Sequence, residues 1–456
     1  MQNTICIVWL ELAEEAAYKA ARLSRVFNQR SPARFPQGIV KPSNESDIIA
    51  AIKLALQCNC RIAVRAGGHS FPVWSVQDHS ILLDLGNFKV LEVDEAARTA
   101  KVSPSITSRA LNDVLIEKHG LMFPGGHCPD VGLGGFLLQG GMGWNCRNWG
   151  WACESVEAIQ AVTMQGQTVF CNTQQNADLY WAARGAGPGM LSSSRALSVL
   201  AVVLGLKEMI QAFPAVVTEF HLRLIPYPKK GFRSSGYIYP RSRYRGAFSW
   251  VLEITPTVDT DTEITTTPEE AGAALHYIYT RQGRPSGALA EWHCREDSLE
   301  NLYDKQAKAN PKGHRYHTDN AYIHNDADVV TVLEDAFLGL PRGKSFAFWS
   351  AMNPWSRRQL PDMALSMRSD HYFAIYAISE DMRDDAQYQS WVHKVMKSIE
   401  NHSVGTYLGD SDLQKANERY WDSNHARYLM EICDKWDPKG VMCRYQPSRD
   451  ELVTSN

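Results

Sequence analysis

With 456 residues, 44% of them hydrophobic and 21% charged, the chain is too long for one small core and too apolar for a disordered or fibrous protein. The formal net charge of −3 gives no electrostatic reason for a nucleic-acid or anionic-membrane partner, so a small molecule is the expected ligand. The longest apolar run, Ala196 to Leu206, is far shorter than a membrane span, and the ten cysteines form no CxxC pair that would mark a zinc site.

The N-terminal stretch has no basic flank before its short apolar run, so a cytoplasmic location is expected. A helix is expected from Ser46-Asp47, with Ile48, Ile49, Ile52 and Leu56 on one face, leading into a buried strand RIAVR over 61–65. The runs 81–85, 88–94 and 99–103, separated by short turns, predict a meander. A helix follows over 107–118, then a stretch 123–150 with nine glycines. Residues 158–170 predict a hairpin turned at Gln165-Gly166, and 215–224 a further strand. From about Pro226 helical runs, 286–310 and 384–400, alternate with aromatic strand candidates 345–352 and 371–378. The tail from about Ser403 returns to turn residues and ends in WDPKG. The fold class is therefore α+β: a first domain over 1–225, a second over 226–402, and a C-terminal segment, 403–456, folding back on the first.

Two glycine runs carry the chemistry. One is Ala66-Gly67-Gly68-His69-Ser70 after the strand 61–65; the other holds Gly132, Gly134 and Gly135, then Gly140, Gly141 and Gly143. Glycine lets backbone N–H groups approach a ligand closely, and successive N–H groups in turns form anion-binding nests that suit a diphosphate. Neither run follows the strand–turn–helix layout of a nicotinamide fingerprint, and no P-loop is present.

The segments RAGGHS (65–70), GGHCPDVGLGGFLLQGGMG (125–143), DLYWAARGAGPG (178–189), AVVTEFHL (215–222), YWDSNHARYL (420–429) and WDPKG (436–440) resemble, in this order, the berberine-bridge-enzyme-like FAD-linked oxidases of the vanillyl-alcohol oxidase superfamily. The resemblance spans about 45–440 and implies a two-lobed protein: a PCMH-type FAD-binding domain plus an antiparallel-sheet substrate domain covered by helices. It implies FAD joined at two points, through His69 to the flavin 8α carbon and through Cys128 to C6. Other cofactor contacts implied are Arg65, Ala66, Gly67, Gly68, Ser70 and Phe71 around the diphosphate, Gly132, Gly134, Gly135, Gly140, Gly141 and Gly143, then Val156, Val217 and Asn424. Val131 occupies the position that gates dioxygen in the family, where valine looks like an oxidase. Without the resemblance, His69 reads as a hydrogen-bonding turn residue and Cys128 as a small buried hydrophobe. His127 could instead be a ring neighbour, and Cys146 and Cys153 are assigned to packing.

The implied activity is hydride removal from a C–OH or C–N group, with dioxygen as acceptor. A base must take the substrate proton. Many relatives use the second tyrosine of a Y-x-N-Y segment, whereas the aligned residues here are Tyr407-Leu408-Gly409-Asp410. Asp410 could serve if an apolar pocket raises its pKa; Tyr407, Tyr372, Tyr376 and His371 are alternatives. A secondary metabolite is the preferred substrate class, a carbohydrate the second, and a flavin-binding relic without turnover the reading from another class. Residues 190–212 intervene where relatives pass almost directly from GAGPG to a phenylalanine-led strand, and removing them restores GPG-FPAVVTEF, as a retained intron would; 262–275 looks short by about a strand and a turn.

Overall fold

The computed structural model describes residues 7–9, 14–144, 146–187, 213–227, 232–238, 249–254, 290–341, 343–352, 355–412 and 419–443. The segments 190–212 and 262–275 singled out above lie outside them.

The first half holds two sheets back to back with the glycine loops. A four-stranded sheet runs Ile7–Trp9, Gly38–Val40, Ser80–Asp84, Arg61–Arg65, with the last three parallel. The helix Glu45–Gln57 starts on the Asn44 side chain, which accepts from the Asp47 amide, and buries Ile48, Ala51, Ile52 and Ala55 against this sheet. A five-stranded antiparallel sheet runs Leu91–Asp94, Thr99–Val102, Ala215–Arg223, Val156–Thr163, Thr168–Cys171. The helix Ser108–His119 ends on Gly120 at φ +61°, a left-handed stop that glycine adopts freely.

The expected meander over 81–103 is corrected. Ser80–Asp84 is buried along its whole length and pairs in parallel with Arg61–Arg65, as a strand covered on both faces does, whereas Leu91–Asp94 and Thr99–Val102 belong to the second sheet. The hairpin at Gln165-Gly166 is present as read, with Gly166 at φ +76°.

In the second half, Ser249–Ile254, Phe232–Ile238 and Ala290–Asp297 form a three-stranded sheet. The helical run expected over 286–310 is therefore a strand followed by the helix Leu299–Ala309, which Ser298 caps through the Asn301 amide. Cross-strand pairing with Phe232–Ile238 overrides the helical texture of that stretch. A four-stranded antiparallel sheet, Phe346–Ala351, His371–Ser379, Arg315–Ile323, Ser403–Gly405, carries the helices Val329–Leu338 and Asp385–Ile399 on one face. The other face packs Tyr316, Tyr322, Tyr372 and Tyr376 against Phe71, Trp151 and Tyr407.

The segment from Ser403 first adds an edge strand to this sheet. It then returns to the first half: Trp421 Nε1 donates to the Gly185 carbonyl at 2.9 Å, and Met442 bridges Ile62 in parallel. Among the described residues no helix is long and apolar enough to cross a membrane, and no cluster of metal-ligating side chains occurs.

Candidate active site

The two glycine runs meet backbone to backbone. A Cβ on Gly67 would lie 2.5 Å from the Gly132 nitrogen, and one on Gly132 would lie 2.8 Å from the Gly67 Cα, so neither position has room for a side chain. Gly134 is confined in the same way by Pro104 and Ala66, and Gly143 by the Pro124 carbonyl. These glycines are therefore small because neighbouring segments leave no room for a Cβ. Gly135 differs: nothing lies within 4 Å of its would-be Cβ. Gly68, at φ +78°, turns the loop so that the amides of Gly67, Gly68 and His69 find no backbone acceptor among the described residues. A left-handed turn with orphan amides, beside the open space over Gly135, fits the diphosphate of a dinucleotide.

Arg65 departs from its expected role. Its guanidinium is buried and donates to the carbonyls of Ala21 (2.8 Å) and Arg22 (2.6 Å) and to the Asp84 carboxylate (2.8 Å), so it anchors the N-terminal helix rather than a phosphate. Ser70 accepts from the Trp74 amide through Oγ. Phe71 also moves: it packs among Tyr316 and Tyr376, on the aromatic side of the site.

His69 lies face to face with Phe27, ring centroids 3.7 Å apart. Burial pushes its imidazole down to about 4, so the ring is neutral at physiological pH. Cys128 receives a long contact, 3.9 Å, from the Gln306 amide on the helix Leu299–Ala309. Burial, with Asp410 next in weight, pushes this thiol up to about 12. The carboxylate of Asp130, paired with Lys312 at 3.0 Å, acts on both His69 and Cys128. His127 lies edge-on to Trp144 at 4.4 Å. Val131 is partly buried against the first core, its amide bonded to the Cys128 carbonyl. Val156 and Val217 are buried on the five-stranded sheet. Asn424 sits exposed in the first turn of the helix Ser423–Trp436, whose N-cap is Asp422.

The other half of the site is a carboxylate held by tyrosines. Tyr372 Oη donates to Asp410 Oδ2 at 2.5 Å, and the Tyr376 hydroxyl bonds the same carboxyl group. Burial raises the Asp410 pKa above the ordinary carboxylate value, with the two tyrosine bonds opposing part of the shift. Tyr372 and Tyr376 are themselves held well above a normal phenol, by burial first and by Asp410 second. The backbone under this group is fixed from the strand Arg315–Ile323. Thr318 Oγ1 donates to the Asp410 carbonyl at 3.1 Å, while the Asn320 side chain donates to the Tyr407 carbonyl at 2.8 Å and accepts from its amide at 2.7 Å.

Tyr407 joins the two halves. Its hydroxyl accepts from the Met142 amide at 3.1 Å, tying the turn Leu408–Asp410 to the second glycine run. A Cβ at Gly409 would lie 2.5 Å from the Tyr407 ring, so the departure from Y-x-N-Y is matched to this ring position.

His371 is removed from the candidate set. Side chains alternate along a strand, and His371 shares the helix-covered face with Phe373, Ile375 and Ala377, next to Trp349, while Tyr372 and Tyr376 face the site. Sequence reading missed Phe27, Gln306, Thr318 and Asn320. Each acts through a contact between segments far apart in the chain; for the strand residues, period-2 alternation in step with Tyr372 and Tyr376 was the available signal.

An FAD binding domain family matches residues 36–172. The chain is 37% identical over 445 residues to the FAD-linked oxidoreductase ptmO of Penicillium ochrochloron, covering 93% of each protein. It is also 33% identical over 201 residues to berberine bridge enzyme-like 19 of Arabidopsis thaliana, covering 43% of this chain and 33% of that one. Among solved structures, wild-type BBE-like 1 of Physcomitrella patens superposes with a TM-score of 0.74 at 18% identity, covering 97% of this chain and 96% of that one.

Proposed function

The chain belongs to the berberine-bridge-enzyme-like FAD-linked oxidoreductases, and from that premise we propose that it is an oxidase in which Asp410 is the base. The observation that carries this reading is the short bond from Tyr372 Oη to Asp410 Oδ2, 2.5 Å, on the sheet face that meets the glycine loops. The bound flavin supplies a two-electron acceptor for hydride. Asp410 takes the proton of the substrate O–H or N–H, and its raised pKa makes it a stronger base than an exposed carboxylate. Tyr372 and Tyr376 stay protonated and aim the carboxylate.

His69 and Cys128 are the two tethers in this reading, attached to the 8α carbon and to C6. The neutral imidazole supports the first, since only an unprotonated ring nitrogen can form the bond. Dioxygen, admitted past Val131, is the final acceptor and leaves as hydrogen peroxide. Phe346 and Phe348 stack on Tyr376 at 4.5 and 6.2 Å, an apolar aromatic wall that supports a secondary metabolite bearing one oxidisable alcohol or amine.

The intact mass and absorption spectrum of the purified chain, with peroxide release from a panel of alcohols, amines and oligosaccharides, test the proposal. A mass increment of one FAD that survives denaturation, with peroxide from apolar alcohols or amines, is the expected result. Peroxide from oligosaccharides alone would replace the substrate class; a flavin-loaded chain silent across the panel would favour the relic.

A further inference from the structure

Residues Phe27 to Arg30 precede the matched FAD-binding region, 36–172, yet they lie across the middle of the site. The Phe27 amide donates to the Gly68 carbonyl at 2.9 Å, which sets its ring on His69 at 3.7 Å and an interplanar angle of 18°. Asn28 is fully buried and uses its whole side chain. Nδ2 donates to the carbonyls of Phe71 (2.7 Å) and Tyr316 (2.9 Å), and Oδ1 accepts from the amides of Tyr316 (3.0 Å) and Arg30 (3.1 Å). Gln29 bonds the same strand region through its backbone, its amide donating to the His314 carbonyl at 3.0 Å and its carbonyl accepting from the Arg315 guanidinium at 2.7 Å. Arg30 completes the strap, donating to His317 Nδ1 and to Asp412 Oδ1, each at 2.7 Å.

Four consecutive residues thus tie the loop 68–71 to the strand Arg315–Ile323 and to the turn that carries Asp410. The histidine loop itself is built from glycines, which give the imidazole no lateral support. Phe27 supplies that support as a flat surface parallel to the ring, leaving the ring edge, where both nitrogens lie, uncovered by the stack.

We propose that Phe27 is a positioning residue for flavin attachment: by stacking on His69 it holds the imidazole edge-on to the cofactor. The inference rests on the His69 tether of the preceding subsection. In the attachment, a bond forms between an imidazole nitrogen and the flavin 8α carbon. One C–H bond of the methyl group and the imidazole N–H are lost as protons, and two electrons enter the flavin ring. Dioxygen then takes the two electrons and two protons, releasing one hydrogen peroxide per tether. Orientation governs the rate of such a step, because misaligned reactants lose effective concentration steeply.

The test uses the full chain carrying Cys128→Ala, so that only the histidine tether forms, prepared without flavin and then mixed with FAD in air. Covalent attachment is followed by fluorescence and mass of the denatured chain, reversible binding by quenching of free FAD fluorescence. Phe27→Leu and Phe27→Met are expected to slow attachment about tenfold or more while reversible binding stays within about twofold, and Phe27→Tyr to attach at the parent rate. Attachment at the parent rate in the leucine or methionine chain would overturn the positioning role alone. Loss of reversible FAD binding in both would make Phe27 a packing residue and overturn it too. No attachment in the Cys128→Ala chain with Phe27 intact would overturn the histidine tether, and the inference with it.

Discussion

In the loops 65–70 and 125–143 the decisive property is the lack of side chains, because Gly67 and Gly132 meet at backbone distance, beside a turn in which the amides of Gly67, Gly68 and His69 find no backbone acceptor among the described residues. On the facing sheet the decisive property is the opposite, a dense set of large polar rings: Tyr372 and Tyr376 fill the space and aim their hydroxyls at one carboxyl group. The first region shapes a cradle through sterics and is written in consecutive residues. The second sets up proton chemistry through burial, and it is assembled from three separate strands and a turn. Tyr407, bonded to Met142 on one side and held by Asn320 on the other, makes the two regions one site.

The sharpest way to separate the regions is Asp410→Asn. Removing the proposed base is expected to lower turnover about 10²- to 10⁴-fold in a peroxide assay. Because the folded pKa of Asp410 is raised, its ionised form costs stability at neutral pH, so the asparagine chain is expected to melt no lower than the parent in calorimetry. A lower melting temperature would mean that the carboxylate is a structural anchor instead. Gly67→Val attacks the other region: a side chain there strikes the Gly132 backbone and is expected to cost at least about 1–3 kcal/mol in urea unfolding, together with flavin binding.

Smaller effects sharpen the contrast. Tyr372→Phe leaves one bond to Asp410 and is expected to lower turnover about tenfold, in line with the loss of a charged hydrogen bond, whereas His371→Leu, on the helix-covered face of the same strand, is expected to leave turnover within about twofold. Equal losses in the two variants would break the assignment of faces.

Acid stability gives a subtler test. His317 is buried; Arg30 donates to its Nδ1, and its Nε2–H donates to Asp385 at 3.2 Å, a pattern that burial and the Arg30 charge enforce by pushing its pKa down to about 4. The unfolded chain takes up this proton near pH 6.5 and the folded chain only near pH 4. Urea midpoints are therefore expected to fall as pH drops from about 6.5 to about 4, and less steeply in His317→Gln. Smallest of all, Gly135→Ala meets no neighbour, so the flavin-free chain should keep its stability to within about 1 kcal/mol, while FAD binding weakens if the open space belongs to the cofactor.

Much of the cradle could be read directly from the chain. The strand 61–65, the glycine run after it, the hairpin at Gly166 and the strand from Ala215 all occur where periodicity and turn residues put them. Misreadings concentrate where partners are distant. The run 81–85 reads as part of a meander because its parallel partners lie 19 and 43 residues earlier, and Ala290–Asp297 reads as helical because Phe232–Ile238, which holds it extended, cannot be inferred from its own composition. Arg65 sat in the right motif, but its long side chain reaches back to Asp84 and the N-terminal helix.

By itself the sequence determined which backbone segments can approach a diphosphate, since glycine placement is a local property, and which family the chain resembles. Only the tertiary structure decided which carboxyl group is buried between tyrosines, the setting on which the proposed base rests. A carboxylate's pKa depends on what excludes water from it and which hydroxyls reach it, and Asp410, Tyr372 and Tyr376 are neighbours only after the sheet has formed. It likewise decided that Phe27, from a segment with no motif of its own, lies on His69.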